Sequence, residues 1–149
     1  MILESTTRFI ENWHLTITKK DLSYMSEWVT DDVVLYSPAL FHPKKGRAEV
    51  EPLLRDVLAS LEGYKVTKTW IDENEILLEF EATVNGKSLQ GIDRITLNSA
   101  GKMTQLKVLI RPYNGLTALM KAVVQRNIHR LNGPQRIIAK LMFLWKARS

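Results

Sequence analysis

Asp93 stands in the run Leu89-Gln90-Gly91-Ile92-Asp93-Arg94-Ile95-Thr96-Leu97. A period of two places Leu89, Gly91, Asp93, Ile95 and Leu97 on one face of a strand. The spacing therefore predicts a single carboxyl group among aliphatic side chains. Such a group must be neutral, hydrogen-bonded or open to water, and desolvation raises its pKa toward the range of a general acid or base. The alternative is a structural Asp satisfied by Trp13, Trp70 or backbone groups. Other chemistry is scarce. The three histidines are isolated: His14 adjoins Trp13, His42 lies in the Phe41-His42-Pro43 loop, and His129 reads as exposed. With no acids at ligand spacing they predict no metal site. The absence of cysteine excludes disulfides, thiolate metal sites and thiol nucleophiles. No phosphate-cradling glycine loop, nucleotide fingerprint or Ser-His-Asp arrangement is present, and no cofactor is expected.

The elements that must position Asp93 follow from periodicity. Phe9, Ile10, Trp13 and Ile17 recur at helical spacing behind Ser5, Thr6 and Thr7, any of which is a suitable cap. A shorter helix from about Asp21 is predicted to bury Leu22, Met25, Trp28 and Val29 and to stop at Asp31-Asp32. Residues 33–37 read as a short strand before Pro38. Val50, Leu53, Leu54, Val57, Leu58 and Leu61 mark a third helix ending at Gly63, with Pro52 tolerated only in its first turn or at a bend.

From Tyr64 the period changes to two. Strands are predicted over 64–71, 78–84, 88–97 and 103–111, with Asn85-Gly86 as a hairpin turn because both positions tolerate positive φ. Pro112 and Gly115 are expected to end the sheet. Leu116, Leu119, Met120, Val123, Val124 and Ile128 then form a helical stripe, and a last helix over 134–149 carries an apolar arc flanked by Arg136, Lys140 and Lys146. If Leu97 pairs with Lys102, Asp93 lies opposite Leu106, and Leu106, Val108 and Ile110 face inward with Leu78, Phe80, Ala82 and Val84. The predicted pocket walls are Phe41, His42, Leu58, Trp70, Leu78, Phe80, Gly91, Leu106, Val108 and Ile110, with Trp13 on the first helix.

The order of these elements, with Asp31-Asp32, Gly46-Arg47 and Asp93-Arg94-Ile95-Thr96-Leu97-Asn98-Ser99-Ala100-Gly101-Lys102-Met103, resembles the nuclear-transport-factor-2-like, or SnoaL-like, superfamily over roughly residues 5–113. Ketosteroid isomerase, SnoaL polyketide cyclases, limonene epoxide hydrolase and many binding-only proteins share that cone-shaped fold. The resemblance implies an α+β cone: a curved antiparallel four-stranded sheet and a short N-terminal strand, wrapped by three N-terminal helices around a pocket, followed by two C-terminal helices. In the ketosteroid isomerase pattern a neutral carboxylic acid donates from the oxyanion hole, and Asp93 takes that place. The family's oxyanion Tyr falls at Trp13 and its base at Ser37, so Trp13 and Ser37 are the other candidates for orienting an oxygen. A serine is no base near neutral pH. The epoxide-hydrolase pattern needs an Arg where Gly91 stands and a second carboxylate after Asp93, where none follows. Neither typical activity is implied. A SnoaL-like use of one sheet Asp for cyclisation fits the residues better.

The resemblance and residues together predict one domain, with a ligand-pocket unit over 1–113 and a helical extension over 114–149. The expected ligand is small, hydrophobic and carbonyl-containing, and is bound for cofactor-free isomerisation, cyclisation or elimination; the alternative is a non-catalytic ligand-binding or protein-interaction module of the same fold. Residues 1–93 hold all 16 acids and 10 of the 21 bases, leaving 11 bases and no acid in 94–149. That split predicts a basic helix against an acidic body rather than a nucleic-acid surface. Docking of residues 134–149 on an anionic membrane is the less favoured reading. A homodimer is implied by resemblance. MILESTTRFIENW lacks a signal-peptide progression, and a cytoplasmic location is the expectation.

Overall fold

A computed structural model describes residues 2–128 and 133–134 of the chain. The elements are α1 (Ile2–Lys19), α2 (Met25–Trp28), β1 (Val29–Tyr36), β2 (Lys44–Lys45), α3 (Arg47–Ser60), β3 (Glu62–Asp72), β4 (Glu75–Val84), β5 (Lys87–Leu97), β6 (Met103–Arg111) and α4 (Tyr113–Asn127). The strands form one sheet in the order β2-β1-β6-β5-β4-β3. All pairs are antiparallel except β1 with β6, which is parallel. The predicted α+β architecture is observed, with one two-residue strand more than expected. Residues 135–149 of the predicted last helix and His129 lie outside the described residues. Among those described, no helix is long and apolar enough to cross a membrane.

Bulges curve the sheet. Register shifts interrupt β3 at two places and the β5–β6 pair between Thr96 and Leu97, and each bends its strand and increases local twist. The concave face carries Ile76, Leu78, Phe80, Ala82 and Val84 from β4 and Leu89, Ile95 and Leu97 from β5, all buried. Phe9, Trp13 and Ile17 close on them from α1, as their spacing predicts. Asn85 (φ 49°) and Gly86 (φ 78°) make the β4–β5 turn in the left-handed region that the hairpin requires.

The motifs behind the family resemblance have local structural causes. Arg47 Nη2 pairs with Asp31 at 2.7 Å, and the Gly46 N–H donates to Val33 O at 2.8 Å, so Asp31 and Gly46-Arg47 tie the start of α3 to β1. Asn98 Oδ1 accepts from the N–H groups of Ala100 and Lys102, each at 3.0 Å, which folds the β5–β6 turn.

Several boundaries differ from expectation. The helix predicted from Asp21 is a single turn, and Val29 already belongs to β1; Asp31 and Asp32 are exposed positions on that strand rather than a helix stop. Asp93 lies opposite Val108, not Leu106, because the turn pairs Leu97 with Met103 rather than Lys102 and the bulge between Thr96 and Leu97 shifts the register by one residue more. The offset of two residues preserves the facing, whereas a slip of one would have turned Asp93 to solvent. Gly115 is inside α4 rather than at the end of the sheet. The buried face of α4 is Gly115, Leu119 and Ala122, with Ala118 and Val123 beside it, not the bulky stripe through Leu116, Met120 and Val124. Small residues are needed there because the helix lies close on β5. A Cβ on Gly115 would stand 2.6 Å from Ser88 O and 2.9 Å from Leu89 Cβ. Gly115→Ala is therefore expected to cost about 1–3 kcal/mol of stability by overpacking, read as a lower urea midpoint with an unchanged m-value.

The far end of α4 is clasped to α3. The Asn127 amide donates to the buried Asp56 carboxylate, Arg126 Nη2 donates to Ala59 O at 2.9 Å, and Arg126 Nε donates to Ser60 Oγ at 3.1 Å. These bonds hold α4 across one end of the cone, where Leu119 enters the site described next.

Candidate active site

Between the concave face and the helices lies a cavity of about 50 Å³, walled by Trp13, Thr16 and Ile17 of α1, Leu22 and Trp28, Leu54, Val57, Leu58 and Leu61 on and just beyond α3, and Leu119 of α4. The sheet contributes Tyr64, Phe80, Asp93, Leu106, Val108 and Ile110. Apart from Asp93, Tyr64, Thr16 and the two indole N–H groups, the lining is hydrocarbon. This volume suffices for a few water molecules or one small functional group, so a larger ligand must displace part of the wall.

Asp93 is 5 % exposed. Its Oδ2 accepts a hydrogen bond from the Tyr64 hydroxyl at 3.3 Å, and the Tyr64 oxygen accepts from Trp13 Nε1 at 3.4 Å. Both bonds are long for their type, which leaves slack that a bound ligand can take up. Burial raises the Asp93 pKa to about 7, against a smaller lowering by the Tyr64 hydrogen bond. Burial also raises the Tyr64 pKa, and the adjacent Asp93 charge raises it further. At neutral pH the site therefore holds a neutral phenol beside a carboxyl divided between its two protonation states, as proton transfer requires.

Packing fixes the Trp13–Tyr64–Asp93 chain. Trp13 meets Phe9 and Trp28 with ring centroids 6.0 Å from each. Tyr64 stacks on Phe80 at 4.9 Å with rings 25° apart. Phe80 pairs across the strands with Gly91, and its ring fills the space a side chain there would take: a Cβ on Gly91 would be 2.2 Å from Phe80 Cζ. Gly91 thus makes room for Phe80 rather than for a ligand, and Phe80 in turn supports the ring whose hydroxyl reaches Asp93.

Of the candidates read from sequence, Asp93, Trp13, Leu58, Phe80, Leu106, Val108 and Ile110 meet at the cavity. Five predicted walls and one predicted polar group do not. Trp70 is 40 % exposed and lies under the Lys68 ammonium at 4.8 Å, because the bulge between Val66 and Lys68 reverses the inward alternation of β3 beyond Val66. Phe41 is 95 % exposed and stacks edge-on with His42, also exposed; β2 holds that loop outside the cone. Leu78 is fully buried in packed core, and Gly91 lies beneath Phe80. Ser37 falls after the end of β1, where its Oγ accepts from the Ala39 N–H at 3.2 Å, a local turn that keeps it off the cavity. Sequence reasoning missed Tyr64 as a polar member of the site. The available signal was its place two residues before Val66, on the face β3 buries.

Removing that hydroxyl makes a direct test. In Tyr64→Phe the carboxylate loses the hydrogen bond that lowers its pKa, so the Asp93 titration is expected to move above 7. Carboxyl ¹³C NMR reads this shift, and a midpoint unchanged or lower than wild type would show that the phenol does not stabilise the anion.

No family model matches the chain, and no curated protein matches it. Among solved structures, a steroid delta-isomerase from Pseudomonas aeruginosa is similar with a TM-score of 0.78 and 30% identity over 82% of this chain and 90% of that one. The chain belongs to the nuclear-transport-factor-2-like, or SnoaL-like, superfamily. Two more distant solved structures share the fold. An NTF2-like protein of unknown function from Mesorhizobium loti has a TM-score of 0.66 at 11% identity, covering 73% of this chain and 93% of its own. SalBIII, an epoxide hydrolase/cyclase-like enzyme in pyran ring formation in the polyether salinomycin, has a TM-score of 0.63 at 13% identity, covering 75% and 94%. The superfamily's neighbours of this chain thus include an isomerase, a cyclase-like enzyme and proteins without an assigned activity.

Proposed function

We propose that the chain binds a small apolar carbonyl compound in the cone and catalyses a cofactor-free proton transfer on it, an isomerisation, cyclisation or elimination, with Asp93 as acid and base. One observation carries this reading: a carboxyl held near a pKa of 7 in the wall of a largely hydrocarbon cavity, with Oδ2 on Tyr64 and no hydrogen-bond donor from the described residues on Oδ1. For a β,γ-unsaturated ketone, ionised Asp93 takes the proton from the carbon between the carbonyl and the double bond. The electron pair left behind delocalises onto the carbonyl oxygen as a dienolate. Once Asp93 is protonated its claim on the Tyr64 hydroxyl weakens, freeing that donor for the oxyanion. Return of the same proton to the γ carbon shifts the double bond and regenerates the carboxylate.

Cyclohex-3-enone is small enough to probe this, because its conversion to cyclohex-2-enone is followed by ultraviolet absorption. The rate should rise with pH through an inflection near 7, since the ionised carboxyl is the base. Asp93→Asn should lower kcat/KM tenfold or more. A wild-type rate equal to buffer, with the compound bound, would favour the second reading, a binding module without chemistry. That reading draws on the absence of a second carboxylate among the described cavity residues.

A further inference from the structure

Ile17, Leu58, Leu61 and Tyr64 wall the Asp93 cavity, and the same four wall a surface hollow of about 400 Å³ between the C-terminal ends of α1 and α3. One layer of side chains therefore separates the inner space from solvent. The hollow's polar lining includes Lys20 and Glu62. Lys20 lies just past α1 in the left-handed region (φ 53°). From there its side chain crosses the hollow, and Nζ donates to Leu61 O at 2.8 Å. A lysine on the last carbonyls of a helix is an ordinary cap. This one spans the layer that must part for anything to reach Asp93, and it does so on a neutral oxygen. Glu62 shares the hollow without pairing to it, and no carboxylate among the described residues forms an ion pair with Lys20. An ammonium with three donors retains two for another acceptor.

Resting on the pocket reading above, we infer that the hollow is the way into the cavity and that Lys20 binds the anionic end of an amphipathic ligand, an apolar chain with a carbonyl at its buried end and a carboxylate at the mouth. Trp13 in the cavity and Lys20 at the rim are seven positions apart, roughly 10 Å along a helix axis, which sets the length of chain between the two ends. The inner space takes the carbonyl terminus, and the chain passes Leu61 and Tyr64. Capture of Lys20 by the ligand's carboxylate releases Leu61 O and lets that layer open.

Two probes of similar carbonyl end test this, 9-oxodecanoate and decan-2-one, titrated calorimetrically at pH 6 into the wild type, Lys20→Met, Lys20→Glu and Leu58→Trp. The wild type should bind 9-oxodecanoate roughly three- to tenfold more tightly than decan-2-one, the range of a partly solvated ion pair. Lys20→Met should abolish that preference, with decan-2-one binding at least as tightly as in the wild type because the bond to Leu61 O no longer closes the layer, and Lys20→Glu should invert it. Equal affinities in the wild type, or equal weakening of both probes in Lys20→Met, would reduce Lys20 to a helix cap. Those outcomes leave the pocket reading standing provided decan-2-one binding is lost in Leu58→Trp, whose indole fills the cavity. If neither probe binds, or Leu58→Trp binds decan-2-one normally, the pocket reading falls and the inference falls with it.

Discussion

Asp93→Asn gains stability relative to the wild type as the pH rises from about 4 to about 8, by up to about 4 kcal/mol. The sign follows from which state holds the proton. Burial raises the Asp93 pKa to about 7 in the folded chain, against about 3.9 for an unfolded Asp. Below about pH 4 the carboxyl is neutral in both states and contributes no difference. Between the two pKa values the unfolded chain releases its proton while the folded chain keeps it, so the wild type loses stability as the pH rises. Above 7 both are ionised and the full desolvation penalty is present. Asn cannot ionise, so this slope disappears. Urea unfolding of both proteins at each pH isolates the effect, because all other titrating groups cancel in the difference. A flat difference would show that the folded carboxyl titrates normally, and an increasing wild-type advantage would show that it is stabilised as an anion. Either result would withdraw the argument for Asp93 as an acid-base group.

Phe80→Ala is expected to destabilise by about 3–5 kcal/mol, the cost of emptying a buried aromatic site. Phe80 is 3 % exposed, lies over Gly91 and stacks on Tyr64, so nothing nearby can collapse into the space without moving the site. The consequence reaches beyond stability. Without the stacked ring, Tyr64 loses its orientation toward Asp93, and the carboxyl titration should shift up in the same direction as in Tyr64→Phe. Chemical denaturation reads the first effect and carboxyl NMR the second. A stability loss with an unchanged Asp93 titration would mean that Phe80 fills the core without positioning Tyr64. In the reverse experiment, Gly91→Ala plus Phe80→Leu should restore much of the stability, since the smaller residue vacates the place where a Cβ on Gly91 would otherwise clash.

The placement of Asp93 inside the cone was legible before any tertiary information. Strand alternation is local: a period of two assigns Leu89, Gly91, Asp93, Ile95 and Leu97 to one face whatever the strand pairs with, and the turn and bulge that together moved the partner of Asp93 from Leu106 to Val108 shifted the register by two without changing the face. The Asn85-Gly86 turn was legible for a similar reason, because only a few residue types tolerate its backbone angles. Helical periodicity likewise put Phe9, Trp13, Ile17 and Leu58 inside. The motifs around Asp31, Gly46, Asn98 and Gly101 were legible as a family pattern, and the bonds that Asp31, Gly46 and Asn98 make explain why that pattern is mostly about holding elements together.

What surrounds the carboxyl was decided only by the tertiary structure. Trp70 has the composition of a pocket wall, but the bulge between Val66 and Lys68 turns it outward, and a bulge depends on the partner strand as much as on its own residues. Tyr64 became a site residue because Phe80 and Gly91, far along the chain, leave it one place to stack. The buried face of α4 runs through Gly115 and Ala122 rather than its bulkier neighbours, because the distance between a helix and a sheet is set by the closest contact between them. Short-range periodicity determined which way the acid points; the shape and closure of the space it points into depend on contacts between residues distant in sequence, and no local pattern encodes those.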